Sequence, residues 1–135
     1  VKLTTRSEYA LLALIFLARR HGQGTATVAE IAASEGIPAG FLQQIFMTLK
    51  TAHIVHSAKG RHGGFALARH PQDITLAEII RLLDGPLAPT ESTSENFYAH
   101  TPIERAPGLL ALLRDIRDYV AQRMEGTTLA DVSKM

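Results

Sequence analysis

The chain contains no cysteine and no tryptophan, and its aromatic residues are five phenylalanines and three tyrosines. Without thiols there is no disulfide, no thiol nucleophile and no metal centre built on thiolates, a composition that fits a cytoplasmic protein. Long apolar runs are also missing. The longest, Tyr9 to Ala18, falls well short of the roughly 20 residues that cross a bilayer. No basic leader with a small-residue cleavage site precedes it, so neither a signal peptide nor a membrane partner is expected. Catalytic signatures are absent too: Ser, His and Asp occur, but with no G-x-S-x-G elbow or other activated nucleophile, so an enzyme is not expected.

Acidic residues are scarce in the first half. Residues 1–70 hold eight Lys/Arg against three Asp/Glu, whereas residues 71–135 hold six against ten. Five of the six histidines also lie in the front half. A basic front and an acidic back suggest a polyanion partner for the front. At 135 residues with 46% hydrophobic content, the chain is long and apolar enough for one domain with a real core.

Helix starts are clearly marked. Thr5–Glu8, Thr27–Glu30 and Thr75–Glu78 have the S/T-x-x-E form of a capping box, and Thr101–Glu104 repeats it with Pro102 at the first helical position. The first helix, about residues 6–20, is apolar almost all round and reads as the buried spine, stopping at His21-Gly22. A short second helix, about 28–35, ends at Gly36. A third, opened by Pro38 or its neighbour, runs to about Thr51. In it Leu42, Ile45, Phe46 and Leu49 form one core-facing stripe, leaving Gly40, Gln43, Gln44, Met47 and Lys50 outward. Two helices joined by a tight Gly-containing turn form a helix-turn-helix pattern.

The stretch SAKGRHGGFALAR, residues 57–69, mixes glycines with cations and admits two readings. A phosphate-cradling nucleotide loop needs Lys-Ser/Thr after the glycines and then a helix. Here β-branched and aromatic residues flank the glycines, Ile54 and Val55 before, Phe65 and Leu67 after, so the stretch reads as the turn of a hairpin. The expected fold is mainly α with a small β-hairpin wing: a winged helix-turn-helix over residues 1–85, with a fourth helix at about 76–84. A loop follows over residues 86–106, then a long helix over 107–126, then a tail over 127–135. On that last helix Leu109, Leu113, Ile116 and Val120, widened by Leu112 and Tyr119, form an apolar stripe that reads as a dimerisation helix; intramolecular packing is the alternative.

Three segments, KLTTRSEYALLALIFLA, EIAASEGIPAGFLQQIFMTLKTAHIVHSAKGRHGGFALAR and ITLAEIIRLLDGP, carry a resemblance to the Rrf2 family of bacterial winged-helix transcription regulators. The landmarks come in order and at the family's spacing over nearly the whole chain, including Thr127–Asp131 near its end. The resemblance implies a homodimer on a palindromic double-stranded DNA operator, acting as a repressor, with the long helix crossing to the partner. It places the start of the third helix in the major groove, where Gln43 and Gln44 suit adenine and Met47 a thymine methyl. Ala39 and Gly40 would let the helix N-terminus approach phosphate. It places the wing, with Lys59, Gly60, Arg61, His62 and Gly63, at the adjacent minor groove. Lys2, Arg6, Thr27 and Lys50 are candidate phosphate contacts. Ordinary solvated surface is the competing reading of these polar and charged side chains.

Sensing members of this family hold an iron–sulfur cluster on three loop cysteines. This chain has Ser92, Thr93, Ser94, Phe97, Tyr98, His100 and Glu104 in that loop, so no cofactor held by cysteine is expected. His100 and Glu104 sit four apart and are candidate metal ligands, with Glu8 or His70 to complete an N/O site; solvated loop residues are the default reading. A small-molecule or protein effector at residues 87–106, and a fold kept only for docking an enzyme partner, remain alternatives to DNA binding.

Overall fold

The apolar segment near the N-terminus forms helix α1, Thr5–Arg19, in the computed structural model, which describes residues 2–58, 63–95 and 98–134. Its cap is Thr4, whose hydroxyl accepts the Ser7 N–H at 3.2 Å, one residue earlier than the Thr5–Glu8 box predicts. The reason lies 80 residues away: Asp84 accepts from the Thr4 N–H at 3.1 Å and from the Thr4 hydroxyl at 2.6 Å, holding Thr4 extended. The helix also stops at Arg19, short of His21-Gly22, and the chain then turns through Gly22 and Gly24 at positive φ. Ala10, Ala13, Leu14 and Leu17 are buried, Tyr9, Leu11, Ile15 and Phe16 pack against the core, and the spine is open only along the edge where Leu12 is 42% exposed.

The Thr4–Asp84 tie has a pH signature. Partial burial opposes the Asp84 charge, but the two hydrogen bonds from Thr4, joined by the Ser7 hydroxyl and the Arg6 charge, together outweigh it and hold the carboxyl below its ordinary 3.8. A depressed folded-state value means the tie contributes fully above pH 3.8 and is lost as pH falls through that lower value. Asp84→Asn is expected to cost about 0.5–1 kcal/mol at pH 7, discounted for exposure, with variant and wild type converging in acid. Thermal melts followed by circular dichroism from pH 7 to pH 2 check this.

Helix α2, Val28–Glu35, starts where the Thr27 hydroxyl accepts the Glu30 N–H at 3.1 Å and ends on Gly36 at φ +68°. Helix α3, Ala39–Thr51, follows across Ile37 and Pro38, and Leu42, Ile45, Phe46 and Leu49 are all buried as their spacing predicts. Strand β1, Val55–Ala58, pairs antiparallel with β2, Gly64–Leu67, in the register Val55 to Leu67 and Ala58 to Gly64. The hairpin is fastened from two sides. Ala26 exchanges both backbone hydrogen bonds with Phe65, at 3.0 and 2.8 Å, while the Phe65 ring stacks on Phe46 with centroids 4.6 Å apart. Gly64 permits this approach, because a Cβ there would lie 2.5 Å from the Ala26 carbonyl oxygen. Helix, turn, helix and two-stranded wing, in that order, make a winged helix-turn-helix.

Helix α4, Leu76–Asp84, is capped by Thr75, whose hydroxyl accepts the Glu78 N–H; the Glu78 carboxylate turns instead to Arg69. At Thr101 only the backbone turns, over Pro102–Arg105, and its hydroxyl bonds Ser92 at 2.7 Å. Helix α5, Pro107–Glu125, lies on α4: Val120, Ala121 and Met124 pack against Ala77, Ile80 and Leu87. Of the C-terminal stretch, residues 127–134 are described, and they pack back onto the core. The short helix α6, Leu129–Val132, opens with a two-way capping box between Thr128 and Asp131, and Leu129 is fully buried in the main core. The Leu76 N–H to Thr127 and Leu129 N–H to Ile74 hydrogen bonds, both 2.9 Å, stitch this turn to the entrance of α4.

Candidate nucleic-acid interface

The outer face of α3 is uncharged except at its end. Ala39, Gly40, Gln43, Gln44 and Lys50 are exposed, and Met47 is 50% exposed. At the helix start, Pro38 supplies no side-chain cap and the first turn has no acidic residue, so the N–H groups there meet no side chain among the described residues. A side chain at Gly40 would meet nothing within 4 Å, so the fold does not require glycine there, although glycine weakens a helix by about 1 kcal/mol. A bare, slender helix start beside two amides is a surface that admits phosphate at its tip and base edges along its side.

Around α3 the predicted phosphate contacts fall into different settings. Lys2 and Lys50 are exposed and form no ion pair among the described residues. Arg6 is half-buried and donates to the Thr48 hydroxyl at 2.9 Å, which bridges α1 to the flank of α3 and aims the guanidinium at that edge. Thr27 is exposed, and its hydroxyl accepts the Glu30 N–H in capping α2, which leaves its own proton to donate outward. Gly63 is half-buried at the foot of β2; Lys59, Gly60, Arg61 and His62 lie outside the described residues. The finer charge pattern has a sharper feature than the split between halves: no Asp or Glu occurs between Glu35 and Asp73, a run that covers α3 and the whole wing. Arg69, at the end of that run, is neutralised by Glu78.

Helix α5 presents three faces. One packs on α4 and includes Val120, which is half-buried against the Ala77, Ile80 and Leu87 cluster of its own chain. A polar face carries Asp115, Asp118 and Gln122. The third is apolar and open: Leu109, Leu112, Ile116 and Tyr119 are 45%, 54%, 42% and 67% exposed, with Leu113 half-buried at its margin.

The loop before α5 is closed on itself. Ser92, Thr93 and Ser94 are buried; Thr90, Ser92 and Thr101 share a chain of hydroxyl contacts, and the Thr93 carbonyl accepts from Arg117 at 2.8 Å. The cavity left between α4, this loop and α5, lined by Arg81, Leu87, Ser94 and Arg117, is about 20 Å³, room for about one water. Glu104 accepts the Tyr98 hydroxyl at 2.6 Å and pairs with His100 Nδ1; these contacts, the Tyr98 bond foremost, hold its carboxyl below the ordinary range. No third His, Asp or Glu joins them into a metal-holding group among the described residues. Phe97 lies outside the described residues. The donor set therefore does not fit a cysteine-ligated iron–sulfur cluster: the chain has no thiol, the Ser92 hydroxyl is engaged by Thr90 and Thr101, and the Thr93 hydroxyl donates to the Thr90 carbonyl.

No helix among the described residues is long and apolar enough to cross a membrane. A family model described as Rrf2, iron-dependent transcriptional regulator, matches residues 3–135. The chain is 32% identical over 133 residues to the HTH-type transcriptional regulator CymR of Bacillus subtilis, covering 98% of this chain and 90% of that protein. The solved structure of B. subtilis CymR, described as the global cysteine regulator, matches with a TM-score of 0.81 at 34% identity, covering 98% of this chain and 96% of the other. T. potens IscR matches with a TM-score of 0.77 at 27% identity, over 99% and 87% of the two chains. With its winged helix-turn-helix in place and the family model spanning almost its whole length, the protein belongs to the Rrf2 family of bacterial transcriptional regulators.

Proposed function

We propose that this regulator binds a palindromic DNA operator as a homodimer, acts as a repressor, and does so without a cysteine-ligated cluster. The observation that carries the reading is the exposed α3 face, with a bare N-terminus, two adjacent amides and no acidic residue from there through the wing. Gln43 and Gln44 offer donor and acceptor together, the pairing that adenine presents in the major groove. The open stripe on α5 suits a second copy of the chain, and a two-fold dimer reads a palindrome. Repression needs only occupancy: a dimer seated across two half-sites excludes polymerase from an overlapping promoter.

Selection of bound sequences from random duplex DNA tests this reading. Recovery of a palindromic motif with strongly salt-dependent binding supports it; recovery of no motif, or of no DNA at all, sinks it. On the selected site Gln43→Ala is expected to weaken binding by roughly 5- to 150-fold, the range of a lost bidentate base contact, and to relax preference at one base pair per half-site. Affinity for unrelated duplex should stay unchanged, as measured by fluorescence anisotropy.

A further inference from the structure

We infer that His53 is a contact to the DNA sugar–phosphate backbone, placed where the fold itself calls for glycine; the inference rests on the DNA-binding reading above. Helix α3 ends in a tight closure, with the Ile54 N–H donating to the Leu49 carbonyl and the His53 N–H to the Lys50 carbonyl, both at 3.0 Å. Such a closure needs one residue in the left-handed region, and glycine is its usual occupant. His53 stands there with φ +60°, alone among the described non-glycine residues in having positive φ. The other positive-φ positions among the described residues follow the rule, being Gly22, Gly24, Gly36 and Gly85.

The two closing hydrogen bonds hold the backbone in this conformation, and the side chain adds no contact to them among the described residues. The imidazole is exposed and has no hydrogen bond, ion pair or ring contact among the described residues. A strained residue whose side chain serves no internal packing points to a function outside the chain. Its position says which. His53 is the joint between the two elements that address DNA, three residues after exposed Lys50 at the end of α3 and three before exposed His56 on β1. It lies within the acid-free run from residue 36 to residue 72, so no carboxylate of α3 or the wing competes for it. An imidazole N–H in that setting is suited to a phosphate oxygen, adding affinity without reading sequence.

Two substitutions separate this role from a structural one. His53→Gly relieves the backbone strain, and His53→Asn tolerates the left-handed conformation without an imidazole. Both are expected to fold with a thermal midpoint at or above that of wild type for the glycine variant, yet to bind the operator about three- to tenfold more weakly. The loss should be equal on specific and random duplexes, since every sequence presents the same phosphates. Wild-type affinity in the glycine variant would overturn the assignment, as would a loss confined to one sequence. Wild-type protein and Gln43→Ala on the same duplexes keep the two readings apart: if wild type binds no duplex, DNA binding itself fails, whereas intact wild-type binding with an unaltered His53→Gly refutes His53 alone.

Discussion

Glutamate at both Leu112 and Ile116 is expected to leave a folded monomer that binds the operator at least about a hundredfold more weakly. The two side chains are 54% and 42% exposed and belong to neither core cluster of their own chain, so the fold does not depend on them. With Leu109 and Tyr119 they form one stripe at i, i+3, i+7 and i+10, about 15 Å long at the helical rise. In a pair of α5 helices that stripe would be buried, and an unpaired carboxylate there costs several kcal/mol per site. The loss in affinity follows from geometry. A dimer holding one half-site presents its second reading helix at a high effective concentration, and a monomer loses that advantage, worth about 10²- to 10⁴-fold. Sedimentation velocity gives the mass, circular dichroism the fold, and anisotropy titration the affinity. A variant that still sediments as a dimer would move the interface away from α5.

The second large effect is expected from Leu129→Ala, at about 2–5 kcal/mol of stability lost. Leu129 is fully buried among side chains of the main core, and truncation leaves a cavity that a helix of only four residues cannot collapse to fill. Total stabilities of small domains are about 5–15 kcal/mol, so a large part of the margin is at stake. The turn around Leu129 also bonds both flanks of Thr75, through Ile74 and Leu76, and thereby ties the end of α5 to the start of α4. Hydrogen exchange in the variant should therefore quicken at the C-terminal end of α5 before it quickens in α3. Urea unfolding that shows a loss below about 1 kcal/mol would mean that Leu129 is not the core anchor its burial indicates.

What could be read along the chain was whatever depends on near neighbours. The α3 stripe of Leu42, Ile45, Phe46 and Leu49 repeats with the helical period, and Gly36 and Thr27 mark the ends of α2 by their own backbone and hydroxyl chemistry. The hairpin was legible because β-branched and aromatic residues bracket glycines, and Phe65 and Leu67 are buried on that strand as the pattern requires. Where two local signals competed, distance decided. Thr5, with Glu8 three residues on, carries the stronger local signal, and Asp84, 80 residues from Thr4, selects Thr4 instead. Thr128–Asp131 has the capping form with Asp in place of Glu, a weaker local mark at what reads as a tail.

The candidate site divides along the same line. Sequence alone determined that the chain has an amphipathic third helix with amides on its free face, two strands flanking a glycine-rich stretch and no thiol for a cluster, because composition and short-range periodicity encode these directly. The tertiary structure decided which surfaces stay open. It turned Val120 inward onto α4 while leaving Leu112 and Ile116 outside, closed His100 and Glu104 onto each other beside Tyr98, and brought Ala26 so near β2 that residue 64 has to be glycine. It also put His53 into a backbone conformation that no spacing rule announces. Burial and backbone strain are properties of packed surfaces meeting across long stretches of chain, and a linear pattern carries no record of which surfaces meet.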